Sequence, residues 1–348
     1  MKRFFPLFAI ISIFSSCLNN HSHSGKYNIT FTITPAKLGI EKLSADATSN
    51  IFHRRLLLYG LEEKQIAITG HGAIITIELT GADDTLRLEN LVASQGQLEF
   101  RETYPNPEFY NTLSNINAAL VQKHASTEKD NEGVNPLEGG IPDPSLIDSI
   151  PPADERHVDP RNSKDSNPLF NKLNAAIEFT DGKYQLRMGP VIGYCLSKDT
   201  AEVMQMLTSD STKPLIPLHV RFRWSMTPNR PSDLYSLFAL NFDSAGTPFM
   251  SGKIVRQASF HYDADGKPQI SIEFNDEGRK RFYLMTRRNI GKSIAITVDG
   301  KVVSSPKVIA EIKEGRAVLS GGSENEFRDL CAILQADYFP HKTKMQVH

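Results

Sequence analysis

The chain has 348 residues, of which 40% are hydrophobic and 23% are charged. This composition is ordinary for a globular protein, and the length allows two or three compact units. With 39 Lys and Arg against 40 Asp and Glu, the net charge of −1 gives no electrostatic support for binding nucleic acid or an anionic membrane surface.

The N-terminus has the features of a bacterial export signal. Lys2-Arg3 precedes an apolar run from Phe4 to Phe14, which is too short to span a bilayer because a spanning helix needs about 20 residues. Small residues then lead to Cys17, so residues 1–17 predict a lipoprotein signal in which Cys17 carries the lipid. The alternative is an ordinary secretory signal with a chance cysteine. Residues 18–26 are expected to form a polar tether.

Residues 27–104 follow the pattern strand, helix, strand, strand, helix, strand. The first strand alternates Ile29, Phe31 and Ile33 on one face, and the middle strands form a hairpin around Gly70-His71-Gly72. This order is that of the split βαβ, ferredoxin-like unit. We therefore predict an α+β fold with a ferredoxin-like βαββαβ base.

Residues 125–168 interrupt the regular pattern. They contain seven prolines, many polar residues and few large apolar ones. Because such a segment buries too little surface to offset the cost of ordering, it predicts a flexible loop. After it, a short helix over residues 199–207 and strands over residues 219–224 and 234–241 are predicted.

A second α+β unit is predicted from Ile270 to Gly322. A strand leads into a helix that Asn275 can cap, with two acidic residues in its first turn. After the next strand, Asp299-Gly300 suits a type I′ hairpin turn because both positions need positive φ. Two further short strands are predicted, at residues 308–312 and 317–320.

A helix is predicted over residues 324–335. Its apolar face, formed by Phe327, Leu330, Cys331 and Leu334, is expected to pack on the base. Both Cys195 and Cys331 lie in apolar contexts, which favours two buried thiols over a disulfide.

Several motifs closely resemble the large periplasmic domain of SecD, the accessory membrane subunit of the bacterial Sec export machine. In the C-terminal half these are FNDEGRKRF, TRRNIGKSIAITVDGKVVSSPKV, EGRAVLSGG and LCAILQADYFP. In the N-terminal half, HRRLLLYGL, TIELTGADD and SQGQLEFRETY are similar to the version in Bacteroidetes-type SecDF fusions. The likeness extends from about Tyr27 to Pro340.

The resemblance implies a domain organisation. Residues 27–104 and 323–340 would form the base, and residues 105–322 the inserted α+β head, which contains the loop at 125–168. Where the family has its first membrane helix and an Asp-Leu-x-Gly-Gly motif, this chain has the lipoprotein-type signal and Phe31-Thr32-Ile33-Thr34. The sequence stops at His348, before the helices through which SecDF uses the proton gradient. We therefore expect a stand-alone SecD-like domain without the motor.

No catalytic residues, metal site or cofactor are predicted. The sequence lacks a nucleophile elbow, a zinc-protease motif and a phosphate loop. Asp263, Asp265 and Gly266 match part of a calcium loop, but the later ligands are missing, so a tight turn is predicted there. The chain is therefore expected not to be an enzyme.

The resemblance implies a polypeptide-binding accessory protein of export, anchored by lipid on the periplasmic face of the inner or the outer membrane. Its partners would be unfolded secretory polypeptide, or the Sec translocon or another envelope protein. The candidate contact residues lie on two head strands and are Ile294, Ile296, Val298, Val302 and Val303. Their apolar faces could instead be core. Two alternatives remain open: a structural, docking lipoprotein of the envelope, and a diverged SecD duplicate with no transport role.

Overall fold

The computed structural model describes residues 27–35, 45–71, 74–129, 167–229, 231–242, 248–251, 254–336 and 343–347. The α-helices within these ranges are α1 (Ala45–Tyr59), α2 (Thr85–Ala93), α3 (Asn106–Lys129), α4 (Thr200–Thr208), α5 (Asp276–Arg288) and α6 (Glu324–Gln335). The strands are β1 (Tyr27–Pro35), β2 (Ile66–His71), β3 (Ile74–Ala82), β4 (Leu98–Glu102), β5 (Asn174–Ala175), β6 (Ile177–Thr180), β7 (Lys183–Leu186), β8 (Val191–Leu196), β9 (Val220–Trp224), β10 (Leu234–Asn241), β11 (Met250–Ser251), β12 (Val255–Tyr262), β13 (Pro268–Phe274), β14 (Ile294–Val298), β15 (Lys301–Ser304), β16 (Arg316–Ser320) and β17 (Thr343–Val347). The predicted α+β class is confirmed.

The first sheet is antiparallel and has the order β17-β1-β3-β2. Its buried face alternates Ile29, Phe31 and Ile33, as the period of two predicts, and α1 and α2 contribute to the same core. The fourth strand of this sheet is β17 and not β4, which the sequence had placed there. The ferredoxin-like base is thus completed by a strand from the C-terminal end of the chain.

Strand β4 instead joins a second sheet, of order β11-β4-β14-β15. Within it, β4 pairs antiparallel with β14, from Leu98 opposite Val298 to Glu102 opposite Ile294. Phe100 lies in a core with Phe274 and Phe282, whose rings it meets edge-on at centroid distances of 5.4 and 5.7 Å. This aromatic contact explains why β4 lies in the second sheet.

Helix α5 forms as its sequence predicts. The side chain of Asn275 accepts a hydrogen bond from Gly278 N at 2.9 Å, and Gly278, Phe282 and Met285 are buried. A Cβ on Gly278 would lie 2.9 Å from Ile254 O and from Phe274 Cβ. The glycine therefore lets α5 approach the sheet β12-β13-β16 closely.

Helix α6 packs into two cores at once. Its N-terminus is capped by Ser323, whose side chain accepts from Glu326 N while the Glu326 side chain accepts from Ser323 N. Ala332 and Ile333 belong to the core of the first sheet. The face predicted to meet the base contacts the other core instead; its residues are Phe327, Leu330, Cys331 and Leu334. The helix therefore joins two bodies of the protein. The first body is built around the sheet β17-β1-β3-β2, and the second around the sheets β11-β4-β14-β15 and β12-β13-β16.

A third body is formed by the residues between β4 and β11 in the sequence. Its sheet has the order β5-β8-β10-β9, and α3 and α4 share its core. The sequence had assigned this region to a single head. Helix α3 continues to Lys129, so the first five residues of the predicted loop at 125–168 are helical, while residues 130–166 lie outside the described residues.

The segment from Pro306 to Ile312 is not a regular strand, although a short strand was predicted at 308–312. Its backbone hydrogen bonds go to scattered partners: Val308 O accepts from Gly291 N, Val308 N donates to Lys292 O, and Ile312 N donates to Thr286 Oγ1. These bonds hold the segment along α5 in an irregular course.

Candidate functional site

The five predicted contact residues lie mostly in the core. Ile294, Ile296, Val298 and Val302 are each at most 3% exposed, and Val303 is half-buried. Strand β14 is paired on both edges, by β4 and β15. A polypeptide could not reach most of these side chains without opening the sheet, so they correspond to the alternative interpretation as core.

An open apolar surface lies beside them. This apolar groove has a volume of about 420 Å³, within the range of ligand pockets. Ile294 and Ile296 form part of its floor, which places two of the predicted residues at the site. The groove is lined by Phe100, Phe282, Thr286, Ile294, Ile296, Pro306, Lys307, Val308, Ile309, Ala310, Ile312, Arg316, Ala317 and Val318.

Two features make this groove suitable for an extended chain. Ile309 is 88% exposed and Val318 is 46% exposed, so apolar side chains stand at its mouth. Strand β16, which contributes Arg316 to Val318, pairs with β13 on one edge only within the described part of the chain. An unpaired edge next to apolar pockets is the arrangement that adds an extended peptide to a sheet.

The sequence analysis missed Ile309 and Val318, which form part of the walls of the groove. Ile309 and Val318 stand in segments whose alternation does not distinguish an exposed apolar residue from a buried one. For Ile309, the signal that could have found it is Pro306, which breaks the preceding strand and leaves Ile309 outside a regular sheet.

A second feature is the loop Ser94–Gln97, which joins α2 of the first body to β4 of the second. Arg55 on α1 is fully buried and donates hydrogen bonds to Leu91 O, Ser94 O and Gln95 O. Burial lowers the pKa of Arg55 to about 10, and the nearby Asp299 carboxylate opposes this shift. The guanidinium is therefore still charged at neutral pH.

Asp299 holds the same loop from the other side. Its carboxylate accepts hydrogen bonds from Ser94 Oγ at 2.6 Å, Gln95 N at 3.0 Å, Gly96 N at 3.2 Å and Gln97 N at 2.8 Å. Asp299 and Gly300 have φ of 51° and 77°, which confirms the predicted hairpin turn. We call this arrangement the Arg55–Asp299 clamp.

The remaining predicted residues do not form a site together. Cys195 and Cys331 are free buried thiols, as the sequence favours, and burial raises the pKa of Cys195 to about 11 and also that of Cys331. Asp263 accepts from Asp265 N and Lys267 N, which confirms the tight turn. In the part of the chain that the structure describes, no group of three His, Cys, Asp or Glu residues is placed to hold a metal. Cys17 lies outside the described residues.

Comparison with known proteins agrees with the motifs. The family described as "SecDF, P1 head subdomain" matches residues 240–340. The protein translocase subunit SecD of Rhodothermus marinus is 27% identical over 297 residues, which are 83% of this chain and 44% of that protein. SecDF of Thermus thermophilus is 35% identical over 104 residues, or 30% of this chain and 14% of that protein.

A solved structure titled as a membrane component SecDF that enhances protein export covers 91% of this chain and 97% of that chain, with 19% identity and a TM-score of 0.46.

Within this α+β domain, residues 240–340, which supply most of the groove's lining, thus match the SecDF P1 head subdomain. The chain is similar to SecD over most of its length, which confirms the predicted resemblance. It spans less than half the length of the relatives that it matches. Among the described residues, no helix combines the length and apolarity needed to cross a membrane.

Proposed function

We propose that this chain takes part in bacterial protein export by binding unfolded polypeptide in the apolar groove. The observation that carries the proposal is the groove itself, which opens beside the unpaired edge of β16. A polypeptide that is not yet folded offers both of the things this site can bind: free backbone donors and acceptors, and exposed apolar side chains. The relationship to protein translocase subunits supports the same role.

We also propose that the protein stands on the periplasmic face of a membrane and is held there by a lipid on Cys17. The N-terminal pattern of basic residues, apolar run and small residues before Cys17 supports this placement. Two or more acyl chains would hold the protein stably, since one chain alone gives only marginal binding. The docked partner would then be the translocon or the polypeptide leaving it.

Binding in the groove needs no cofactor, no nucleotide and no catalytic step. Its walls are already formed by α5, β16 and the segment Pro306–Ile312. The position of this segment is fixed by Val308, which lies in the core, and by the hydrogen bond from Ile312 N to Thr286 Oγ1. We therefore propose that the chain binds polypeptide without a proton-driven motor step. A bound polypeptide can shift the position of the bodies relative to one another only if it binds one arrangement of them more tightly than another.

The test is a titration of the full chain, held in phosphatidylcholine nanodiscs, against a labelled secretory protein kept unfolded. We expect weak binding, in the micromolar range or looser, because only a few apolar side chains and one strand edge are available. The same protein after folding is the control and should not bind. Equal binding to both forms, or none to either, would eliminate polypeptide binding and leave the docking role.

A pair of variants locates the contact. Ile309→Asp places a charge at the mouth of the groove, and Leu218→Asp makes the same change at a residue that is 86% exposed and does not line the groove. Because Ile309 is 88% exposed, its substitution should not disturb folding. Loss of its apolar contact is worth about 1–2 kcal/mol, or roughly tenfold in Kd. If Leu218→Asp weakens binding as much as Ile309→Asp, the contact lies elsewhere.

A further inference from the structure

The charged residues that line the apolar groove carry one sign. They are Lys307 and Arg316, and both are exposed. No ion pair joins Lys307 to a carboxylate of the described residues. The Arg316 side chain is 71% exposed and lies 4.0 Å from Glu273, which itself pairs more closely with Arg256, at 2.9 Å. The two cations are therefore available to a ligand.

The stretch of chain that supplies most of the groove's lining is also basic. Residues 279–316 contain ten Lys or Arg against three Asp or Glu, although the whole chain has a net charge of −1. Two of the three carboxylates are already engaged, because Asp299 accepts from the Ser94–Gln97 loop and Glu311 pairs with Lys313 at 2.9 Å. All ten cations are exposed, and besides Arg316 four of them pair with carboxylates: Arg279 with Asp276, Arg281 with Glu277, Arg288 with Glu102 and Lys313 with Glu311. Even with these partners counted, positive charge remains in excess. Charge of one sign around a cleft of low polarity raises the local concentration of ligands of the opposite sign.

We propose that the groove selects extended apolar segments that carry Asp or Glu beside the apolar residues, and disfavours segments flanked by Lys or Arg. This inference rests on the proposed function and narrows the class of polypeptide that the groove takes. The apolar residues of the segment contact the walls at Ile309 and Val318, and a flanking carboxylate pairs with Lys307 or Arg316. A flanking cation would meet like charge at the same places, which is how interfaces exclude wrong partners.

Three peptides test the preference. They share one apolar core, which has one flanking residue on each side. Both flanking residues are Asp in the first peptide, Ser in the second and Lys in the third. Binding to the full chain in phosphatidylcholine nanodiscs is followed by fluorescence anisotropy. Two exposed ion pairs predict that the Asp-flanked peptide binds about tenfold more tightly than the Ser-flanked one, and the Lys-flanked peptide most weakly. The differences should shrink in 0.5 M salt because exposed charges are then screened.

Two matched double variants locate the preference. Lys307→Gln with Arg316→Gln should bring the three peptides within about twofold of one another. Lys183→Gln with Lys198→Gln removes the same charge from exposed positions of the third body and should leave the preference intact. Equal binding of all three peptides to the parent chain would overturn this inference and leave the proposed function standing. Loss of the preference in the control pair would also overturn it, and failure of every peptide to bind would remove the proposed function as well.

Discussion

The Arg55–Asp299 clamp makes a sharp prediction about how the bodies are joined. In Asp299→Gly the loop Ser94–Gln97 loses all four hydrogen bonds that the carboxylate accepts. The backbone itself is not strained by the change, because the φ of 51° at this position suits glycine better than any other residue. The substitution therefore isolates the side-chain contacts.

The expected cost follows from these bonds. A hydrogen bond to a charged group contributes about 1.5–3 kcal/mol when it is well shielded, but those to Ser94, Gln95 and Gln97 are exposed and water replaces part of each. At roughly 0.5–1 kcal/mol for each of the four bonds, Asp299→Gly should lower the free energy of unfolding by about 2–4 kcal/mol. Arg55 also loses the carboxylate that favours its charged form.

The matched control is Asp181→Gly. Asp181 stands in the same kind of Asp-Gly hairpin turn, with φ of 54° followed by 76° at Gly182, but no hydrogen bond reaches its side chain among the described residues. Urea unfolding of chains beginning at Gly25, followed by far-ultraviolet circular dichroism, should show a loss under about 0.5 kcal/mol for this control.

Hydrogen exchange provides a local measurement of the same prediction. The amides of Gln95, Gly96 and Gln97 should exchange faster in Asp299→Gly and at the parent rate in Asp181→Gly. If these three amides exchange equally in parent and variant, or if the two variants lose the same stability, the carboxylate does not hold the loop and the reasoning is refuted.

Three further predictions concern the anchor, the bridging helix and acid stability. Cys17→Ser should move the protein from washed membranes to the soluble fraction, and its retention in the membranes would count against the lipid. Leu330→Ala should cost about 2–5 kcal/mol in urea unfolding because Leu330 is 3% exposed, whereas a cost as small as that of Leu284→Ala, at a 52% exposed site, would show that α6 is not anchored there. Burial raises the pKa of Glu102, but hydrogen bonds from Arg288 and Asn289 outweigh this and leave the pKa below its ordinary value of 4.5. The stability contributed by Glu102 is thus present above pH 4.5 and lost as the pH falls through the lower, folded-state pKa. The difference in the free energy of unfolding between the parent and Glu102→Gln should therefore narrow between pH 7 and about pH 3. A constant difference would contradict the lowered pKa of Glu102.

Local chemistry was enough to determine much of this protein from its sequence. Asn275 caps α5 because its side chain needs only the amide of Gly278, three residues away. Asp299-Gly300 forms its turn because both residues tolerate positive φ. The alternation of Ile29, Phe31 and Ile33 gave the buried face of β1 for the same reason, since the period of two is a property of one strand. Two of these stretches, around Asn275 and Asp299-Gly300, also carry motifs that resemble SecD.

Tertiary structure alone decided which strands are neighbours and which apolar residues stay exposed. The pattern of β4 indicates a strand but not its partner, so only the fold shows that β14 lies beside it and that β17 completes the first sheet. Ile309 and Ile296 are equally apolar in the sequence, yet Ile309 is 88% exposed and Ile296 is 2% exposed. Ile296 lies in the core on β14, a strand paired on both edges, whereas Ile309 lies in an irregular segment. Hydrogen bonding across the sheet and packing against α5 join residues far apart in the chain, and no local pattern contains that information.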